Sequence, residues 1–597
     1  MEHIDGVLYR CTVHGNYYKD SLSVVGKDGE RLEVPATRLS ARFSQRHHPQ
    51  SVNYPQTYFN MLLGTLAISF VVLAGAVESS ASNSNSAHKK VAIIGAGSAG
   101  SSTAYHLAQD ARAANIPVDI DVYERSAHVG GRSTTINVWN NQNLPVELGA
   151  SIFVSVNHIL VNASRDFGLR TATRNVHDSE NMPDLGIWDG KEFVFTTTDE
   201  GGWWDMAKLF WRYGYAPITT NSLMKKTVGQ FSTMYDAPLF PWKSLSQAVQ
   251  DVQLTEVAGL TGEQFLQQKG VGEKFAREII QASTRVNYAS NLGMIHGVET
   301  MVCMAINGAM QIEGGNWNIF DRMLKSSSSI STHLNSTITK VSKQQDGTYN
   351  LTLSSGSIST YDEVILASPL QFSKLNIDPA PNHTPDEIPY VRLHVTHFAT
   401  PHKLSPLAFN LPQTQQVPEA VLTTIPPNEP SANGTSHGSP GFFSISILKS
   451  LINPVSTVPR QEYVYKIFTD RRVDAAFLTK YLGMEITDEE VEHGGDPEGN
   501  ISWIHHKLFH SYPHEYPRVT FDEIKLDENL WYTSSIESFI STMETSALMG
   551  KNVARLIANG WEEEKEREAL KVQGGQEQEQ LEGWQYGPLL QQNFQEP

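Results

Sequence analysis

The spacing of apolar and polar positions divides the chain into stretches of different period. Val91-Ala92-Ile93-Ile94 is an unbroken apolar run after Lys90, which predicts a strand buried on both faces. A glycine-rich hexad, Gly95-Ala96-Gly97-Ser98-Ala99-Gly100, follows, and then a helix over Ser101–Ala108 with apolar positions at helical spacing. A second strand is predicted over Val118–Tyr123. Between 200 and 330 the pattern is mainly helical, with aromatic clusters at Trp203, Trp204, Phe210, Trp211, Tyr213 and Tyr215. Two alternating segments, Ser336–Val341 and Thr348–Ser354, flank the turn signal Asp346-Gly347, and Tyr361–Ala367 predicts another strand. Residues 380–460, rich in Pro, Thr and Ser, support no assignment of elements. A helix is predicted over Ser538–Ala558, and the Glu/Gln-rich residues 561–597 are expected to form a disordered tail.

The longest apolar run lies outside this series. Met61–Val77 carries no charge but is short for a membrane span, which takes about 20 residues. Ala74-Gly75-Ala76 fits a small-x-small cleavage site, so residues 61–76 are expected to be a signal peptide and 77–88 a polar linker. No stable membrane span is expected after cleavage. Residues 1–60 show no clear helical or strand period and are expected to be a non-native or disordered extension, with Met61 the true start. A signal-anchor with a small cytoplasmic head is the alternative. Sequons at Asn162, Asn335, Asn350, Asn382, Asn433 and Asn500 permit secretion without requiring it.

Composition narrows the function classes. At 597 residues, with 40% hydrophobic and 18% charged, the chain is globular and long enough for two or three domains. A formal charge of −18 opposes nucleic-acid binding, which calls for a basic face. The two cysteines, Cys11 and Cys303, stand in no metal-ligand spacing, so no metal site is expected.

The candidate chemistry sits at the first strand. In the order strand, Gly-x-Gly-x-x-Gly, helix, Gly95 allows the tight turn, Gly97 lets the backbone approach a pyrophosphate, and Gly100 lets helix and strand pack closely. The amides of Ser98, Ala99 and Gly100 and the helix dipole face the anion, with Ala96 inside the turn. Glu124 ends the second strand, where a carboxylate accepts from ribose hydroxyls. The insert Ala111–Pro117 places it later than the usual spacing of about 20 residues.

Glu124-Arg125, followed by Val129-Gly130-Gly131-Arg132, resembles the second dinucleotide signature of the flavin amine oxidase superfamily. In that pattern the Gly pair and Arg132 close over the pyrophosphate, Arg132 offering a planar cation to its oxygens. Glu147-Leu148-Gly149-Ala150-Ser151 is similar to the next segment, which implies that Gly149, Ala150 and Ser151 approach the ribityl chain and isoalloxazine. Ile312-Glu313-Gly314-Gly315-Asn316 leads a further helix, and Tyr361–Leu370 resembles the strand returning to the dinucleotide domain. A helix starting near Thr542 and Met543 points backbone amides at the flavin N1/O2 edge. The resemblance also implies Arg125 and Val341 as cofactor contacts. Gly-Gly-Asn, the segment Leu530–Ser538, Ile540–Asn552 and Phe509–Pro517 look like the prenylcysteine oxidase (prenylcysteine lyase) family, over residues 89–560.

This resemblance implies an α/β fold, with a Rossmann-type FAD-binding domain and an inserted mixed α+β substrate domain. The FAD-binding parts would be 89–177, 311–375 and 531–560, and the substrate parts 178–310 and 376–530. It further implies non-covalent FAD, since no Cys stands near the C-terminal signature, with dioxygen as acceptor. The activity implied is oxidation of the thioether of farnesyl- or geranylgeranyl-cysteine to cysteine, an isoprenoid aldehyde and hydrogen peroxide. Little is asked of side chains, and no catalytic acid or base is assigned. His296 is a candidate for positioning water or the amino-acid end, while Glu313 and Glu544 read as helix-terminus or network residues. An amine or polyamine oxidase, and a catalytically idle secreted flavoprotein, are the alternatives. The expected location is the secretory pathway, in a vacuole or lysosome-like compartment or outside the cell.

Overall fold

A computed structural model describes strands His3–Ile4, Val7–Leu8, Ser21–Val25 and Arg31–Pro35, and residues 88–172, 184–197, 203–427, 429 and 437–585. The chain divides into two compact units, Met1–Asn83 and Ser84–Pro597. In the first, Ser21–Val25 pairs antiparallel with Arg31–Pro35, setting Leu22 opposite Val34 and Val24 opposite Leu32. His3–Ile4 pairs with Val7–Leu8. These strands fall within residues 1–60, whose sequence shows no clear period. Two five-residue strands hold only two alternating apolar positions each, too few to stand out. The expected signal peptide and residues 77–87 of the linker lie outside the described residues.

The second unit is built on a six-stranded sheet. Its order is Ile330–His333, Val118–Tyr123, Lys89–Ile94, Glu363–Leu366 and Leu530–Tyr532, all parallel, with Lys525–Asp527 antiparallel at the edge. Val91, Ala92 and Ile93 are completely buried, as a central parallel strand requires. Strand order reverses beside Lys89–Ile94, and that switch point is where an α/β sheet opens a crevice for a ligand. Helix Ser98–Ala113 leaves the turn there, and the long C-terminal helix Met543–Gln585 packs along it. At Gly550 an added Cβ would stand 2.3 Å from Ala99 O, so only glycine permits this approach.

That C-terminal helix corrects the expectation of a disordered tail over residues 561–585, while 586–597 lie outside the described residues. Trp561 is buried, Lys89 Nζ pairs with Glu564 at 2.7 Å, and Lys565 Nζ donates to Ala114 O at 2.9 Å. The Glu, Lys, Arg and Gln that read as low complexity are also strong helix formers. Thr542 opens the helix, its hydroxyl accepting from Thr545 N at 3.0 Å.

Two further sheets accompany the six-stranded one, beside the two-stranded pairs Thr135–Asn137 with Pro145–Glu147 and Thr171–Ala172 with Gln311–Ile312. Ile358–Tyr361, Tyr349–Leu353, Ile338–Lys343 and Asn376–Asp378 form a four-stranded sheet, its central hairpin closed at Asp346-Gly347. The unassigned region 380–460 contributes to a seven-stranded sheet ordered Phe193–Thr196, Leu185–Trp188, Ala420–Thr423, Ser444–Ile452, Gln461–Thr469, Tyr390–Thr400 and Trp503–Pro513. Tyr390–Thr400 is buried along most of its length, so its sequence lacks the alternation of a half-exposed strand.

Candidate active site

The Gly95 turn has the geometry of an anion cradle. Gly95 has φ +116°, and a Cβ there would lie 2.8 Å from Ala367 O. A Cβ on Gly100 would fall 1.9 Å from Gly95 O. Gly97 meets nothing nearer than Gly131 Cα at 4.0 Å, so the face it presents is open. Gly97 caps helix Ser98–Ala113 without a side-chain cap, and no acidic residue stands in the first turn. The leading amides and the positive helix end are thus left for an outside anion. Glu124 accepts from Ala96 N at 3.0 Å and Ser126 N at 2.8 Å, which fixes the carboxylate with lone pairs to spare for hydroxyl donors. Gly130 N donates to Ala96 O at 2.9 Å, joining the Gly-Gly turn to the hexad. These residues fit a dinucleotide.

The guanidinium of Arg132 is partnered within the protein. Its Nη2 pairs with Glu537 at 2.7 Å and its Nη1 donates to Ser511 O at 2.8 Å, tying the Gly-Gly turn to two C-terminal segments. Tyr390 OH donates to the same Glu537 at 2.9 Å. Arg125 is exposed and reaches Phe372 O at 3.1 Å. Val341 lies in the four-stranded sheet. Its side chain is completely buried in a core cluster with Ala92, Tyr123, Tyr349 and Leu351, because its strand lies between two neighbours of the four-stranded sheet.

The segment Gly149–Ser151 is held from three sides. A Cβ on Gly149 would come within 2.1 Å of Arg132 O. Asn316 is fully buried; its N donates to Glu147 Oε1 at 2.6 Å, its Nδ2 donates to Ala150 O at 3.0 Å, and its Oδ1 accepts from Ile312 N at 2.9 Å. Lys466, from the seven-stranded sheet, donates to Ser151 Oγ at 2.8 Å and Glu147 O at 3.1 Å. Burial pushes the Glu147 carboxyl up to about 7. An apolar wall of Leu148, Leu393, Val395 and Phe443, with partly buried Phe509 and Tyr512, adjoins this segment.

Thr542 and Met543 begin the C-terminal helix beside the cradle, where Ser98 Oγ donates to Met543 O at 2.5 Å. Glu544 accepts from Ile159 N, Leu160 N and Tyr235 OH at 2.8, 3.0 and 3.0 Å, a network role. Glu313 is half-exposed and pairs with Arg170 at 2.9 Å.

His296 is not positioned to touch a substrate. It is completely buried, and its Nδ1 accepts from Glu299 N at 3.1 Å as the cap of helix Gly297–Cys303. Nε2 faces Glu515 Oε2 at 3.6 Å, and ligand-type atoms of His296, Glu299 and Glu515 lie within 4.8 Å of one another. A metal does not fit this trio. Since Nδ1 accepts, the neutral ring carries its proton on Nε2, leaving no lone pair there for an ion. Burial holds His296 down at about 3 and keeps it neutral.

The sequence profile of the family described as Prenylcysteine lyase matches residues 196–569, and that of an NAD(P)-binding Rossmann-like domain matches residues 93–181. The chain belongs to the prenylcysteine lyase family. Relatives include "Farnesylcysteine lyase" of Arabidopsis thaliana, 27% identical over 485 residues, covering 78% of this chain and 87% of that protein. "Prenylcysteine oxidase 1" of Bos taurus is 28% identical over 502 residues, 79% of this chain and 89% of that one. "Prenylcysteine oxidase 1-like" of Homo sapiens is 25% identical over 492 residues, 79% and 90% respectively.

In this prenylcysteine lyase family chain, several site residues escape a reading of motifs. Glu515 stands inside the Phe509–Pro517 segment but carries no spacing signal, and Glu299 and Lys466 stand in ordinary helix and strand patterns. Their roles come from tertiary placement. Asn316 alone was marked, by the two glycines before it.

Proposed function

We propose that the protein is an FAD-dependent thioether oxidase that cleaves S-prenyl-L-cysteine, farnesyl or geranylgeranyl, to cysteine, an isoprenoid aldehyde and hydrogen peroxide. The observation that carries this is membership of the prenylcysteine lyase family, together with an anion cradle at the sheet switch point beside an apolar wall. The names of the relatives point to the same substrate class.

Bound FAD would supply the hydride acceptor, and its reoxidation by dioxygen would give the peroxide. The Gly97–Gly100 amides and helix end would hold the pyrophosphate, and Glu124 the ribose. Asn316 and Lys466 fix the Gly149–Ser151 backbone that would flank the reactive ring. The apolar wall orients the isoprenoid and limits water to what the reaction consumes. Water adds to the oxidised carbon next to sulfur, and the hemithioacetal collapses as the C–S bond breaks. Non-covalent binding is supported by the C-terminal signature, which contains no cysteine. We place the protein in the secretory pathway, in a vacuole, a lysosome-like compartment or outside the cell. Glycan analysis at Asn162 and Asn350 in the native protein tests this placement.

Anaerobic mixing of the purified holoprotein with farnesylcysteine tests the function. Bleaching of the visible flavin absorbance, recovered in air with peroxide release, is expected. A yellow protein that bleaches with primary amines and not with farnesylcysteine overturns the substrate assignment.

A further inference from the structure

Beneath the turn that opens the C-terminal helix lies a sealed polar cluster that the binding and positioning roles above do not use. Glu299 and Glu515 are 0% and 2% exposed, and Glu299 Oε1, both Glu515 carboxyl oxygens and His296 Nε2 are buried without a hydrogen-bond partner. Two carboxylates this close cannot both ionise in a dry interior, since neither has an ion-paired base to offset desolvation. The groups facing them are the neutral His296, Tyr288, Tyr512 and Cys303, with Arg518, Arg132 and Glu537 acting from further off. Burial raises both carboxyls above the ordinary carboxylate range, and the charge of Glu299 raises Glu515 further. At neutral pH the pair is therefore a store of protons.

The pair has an outlet. Glu299 Oε2 accepts from Ser541 N at 3.3 Å, one residue before Thr542. The Tyr288 hydroxyl lies against Glu299 and donates to Ser541 O at 3.0 Å. Its ring packs on Tyr512 at 4.9 Å, and Tyr512, whose own hydroxyl is buried and unpartnered, belongs to the apolar wall beside Gly149. We propose that Glu299 and Glu515, braced by His296, hold the proton that dioxygen takes up when the reduced cofactor is reoxidised, and that it leaves along the Tyr288 hydroxyl and the Ser541 turn that opens the C-terminal helix. Dioxygen gains two electrons and one hydrogen from the reduced cofactor, gains its second hydrogen as this proton, and leaves as hydrogen peroxide. The carboxylate regains a proton from the water that adds to the oxidised thioether carbon, which loses one as its C–O bond forms. The proposal rests on the dioxygen-consuming half of the function above, and not on the choice of substrate.

The test uses holoprotein reduced anaerobically by light and a deazaflavin, then mixed with aerated buffer at a series of pH values. For the wild type, reoxidation is expected to be level through neutral pH and to slow at alkaline pH as the pair empties. Glu299→Gln is expected to reoxidise at least about a hundredfold more slowly at neutral pH, the low end of general-acid effects. Glu515→Gln, which leaves the Ser541 bond intact, is expected to do the same while retaining flavin. Independently, the infrared carbonyl band of a protonated carboxyl in the oxidised wild type should shrink in each variant. Variants that reoxidise at the wild-type rate with an unchanged pH profile, or a wild type without that band, overturn the proposal alone. A wild type that stays reduced in air overturns the oxidase reading, and the proposal with it.

Discussion

Replacing Asn316 with alanine isolates the brace that holds Gly149–Ser151. The change deletes two side-chain hydrogen bonds, from Ile312 N at 2.9 Å and to Ala150 O at 3.0 Å, and leaves the Asn316 N bond to Glu147 in place. Ile312 is buried, so its amide loses its partner without access to water, at about 1–3 kcal/mol. Ala150 is half-buried and its carbonyl can be partly rehydrated, which adds about 1 kcal/mol. The folded apoprotein should therefore lose about 2–4 kcal/mol in urea unfolding. Part of that loss reappears in cofactor affinity, because Gly149–Ser151 must be ordered again on binding. A weakening of about tenfold corresponds to 1.4 kcal/mol of this penalty. Asn316→Asp keeps the acceptor for Ile312 but sets a carboxylate against Ala150 O and near Glu147, so it should bind flavin more weakly than Asn316→Ala. Urea titration of apoprotein and fluorescence titration with FAD measure the two effects. An Asn316→Ala protein within about 0.5 kcal/mol of wild type, the scatter of neutral surface changes, with unchanged FAD affinity would refute the reasoning.

Four other outcomes follow from the geometry. Gly97→Ala should fold normally and fail to retain flavin, since its Cβ meets only Gly131 Cα at 4.0 Å in the protein; thermal melting beside visible absorbance checks this. Gly100→Ala should destabilise the fold itself by about 1–3 kcal/mol, because its Cβ overlaps Gly95 O at 1.9 Å. Burial raises Glu363 to about 7, so its contribution to stability is complete below the unfolded carboxyl pKa and is lost as pH rises through about 7. Glu363→Gln, which keeps an acceptor for Trp531 Nε1, should remove that decline, a difference of up to about 3 kcal/mol in urea midpoints compared at pH 4.5 and 8. Truncation after residue 571 should leave the melting temperature unchanged, whereas truncation after 560 removes buried Trp561 and should cost about 3–5 kcal/mol.

Much of the dinucleotide half could be read from the chain. Gly95, Gly97, Gly100 and Glu124 stand where local turn chemistry and strand ends place them, and such signals are carried within about 30 residues. The pairing of Arg132 with Glu537 could not be read from the chain, because Glu537 reaches it from the far end of the sequence. The region 380–460 hid a sheet because strands buried on both faces have no polar alternation to detect. The His296 cluster brings together residues from two distant segments by topology alone, and no spacing in the sequence announces it.

The contacts between the cradle helix and the C-terminal helix bear on how the protein is made. Ser98 Oγ meets Met543 O and Ser102 Oγ meets Ala547 O, each across 445 residues, and Gly550 seats the two helices against each other. A nascent chain emerging from the ribosome displays the glycine turn early, yet the far wall of its cofactor cradle is translated last. Cofactor capture is consequently a late event in biogenesis, and colour marks completed molecules. Prematurely terminated products ending before Met543 would leave that face of the cradle helix, with Ser98 and Ser102, uncovered.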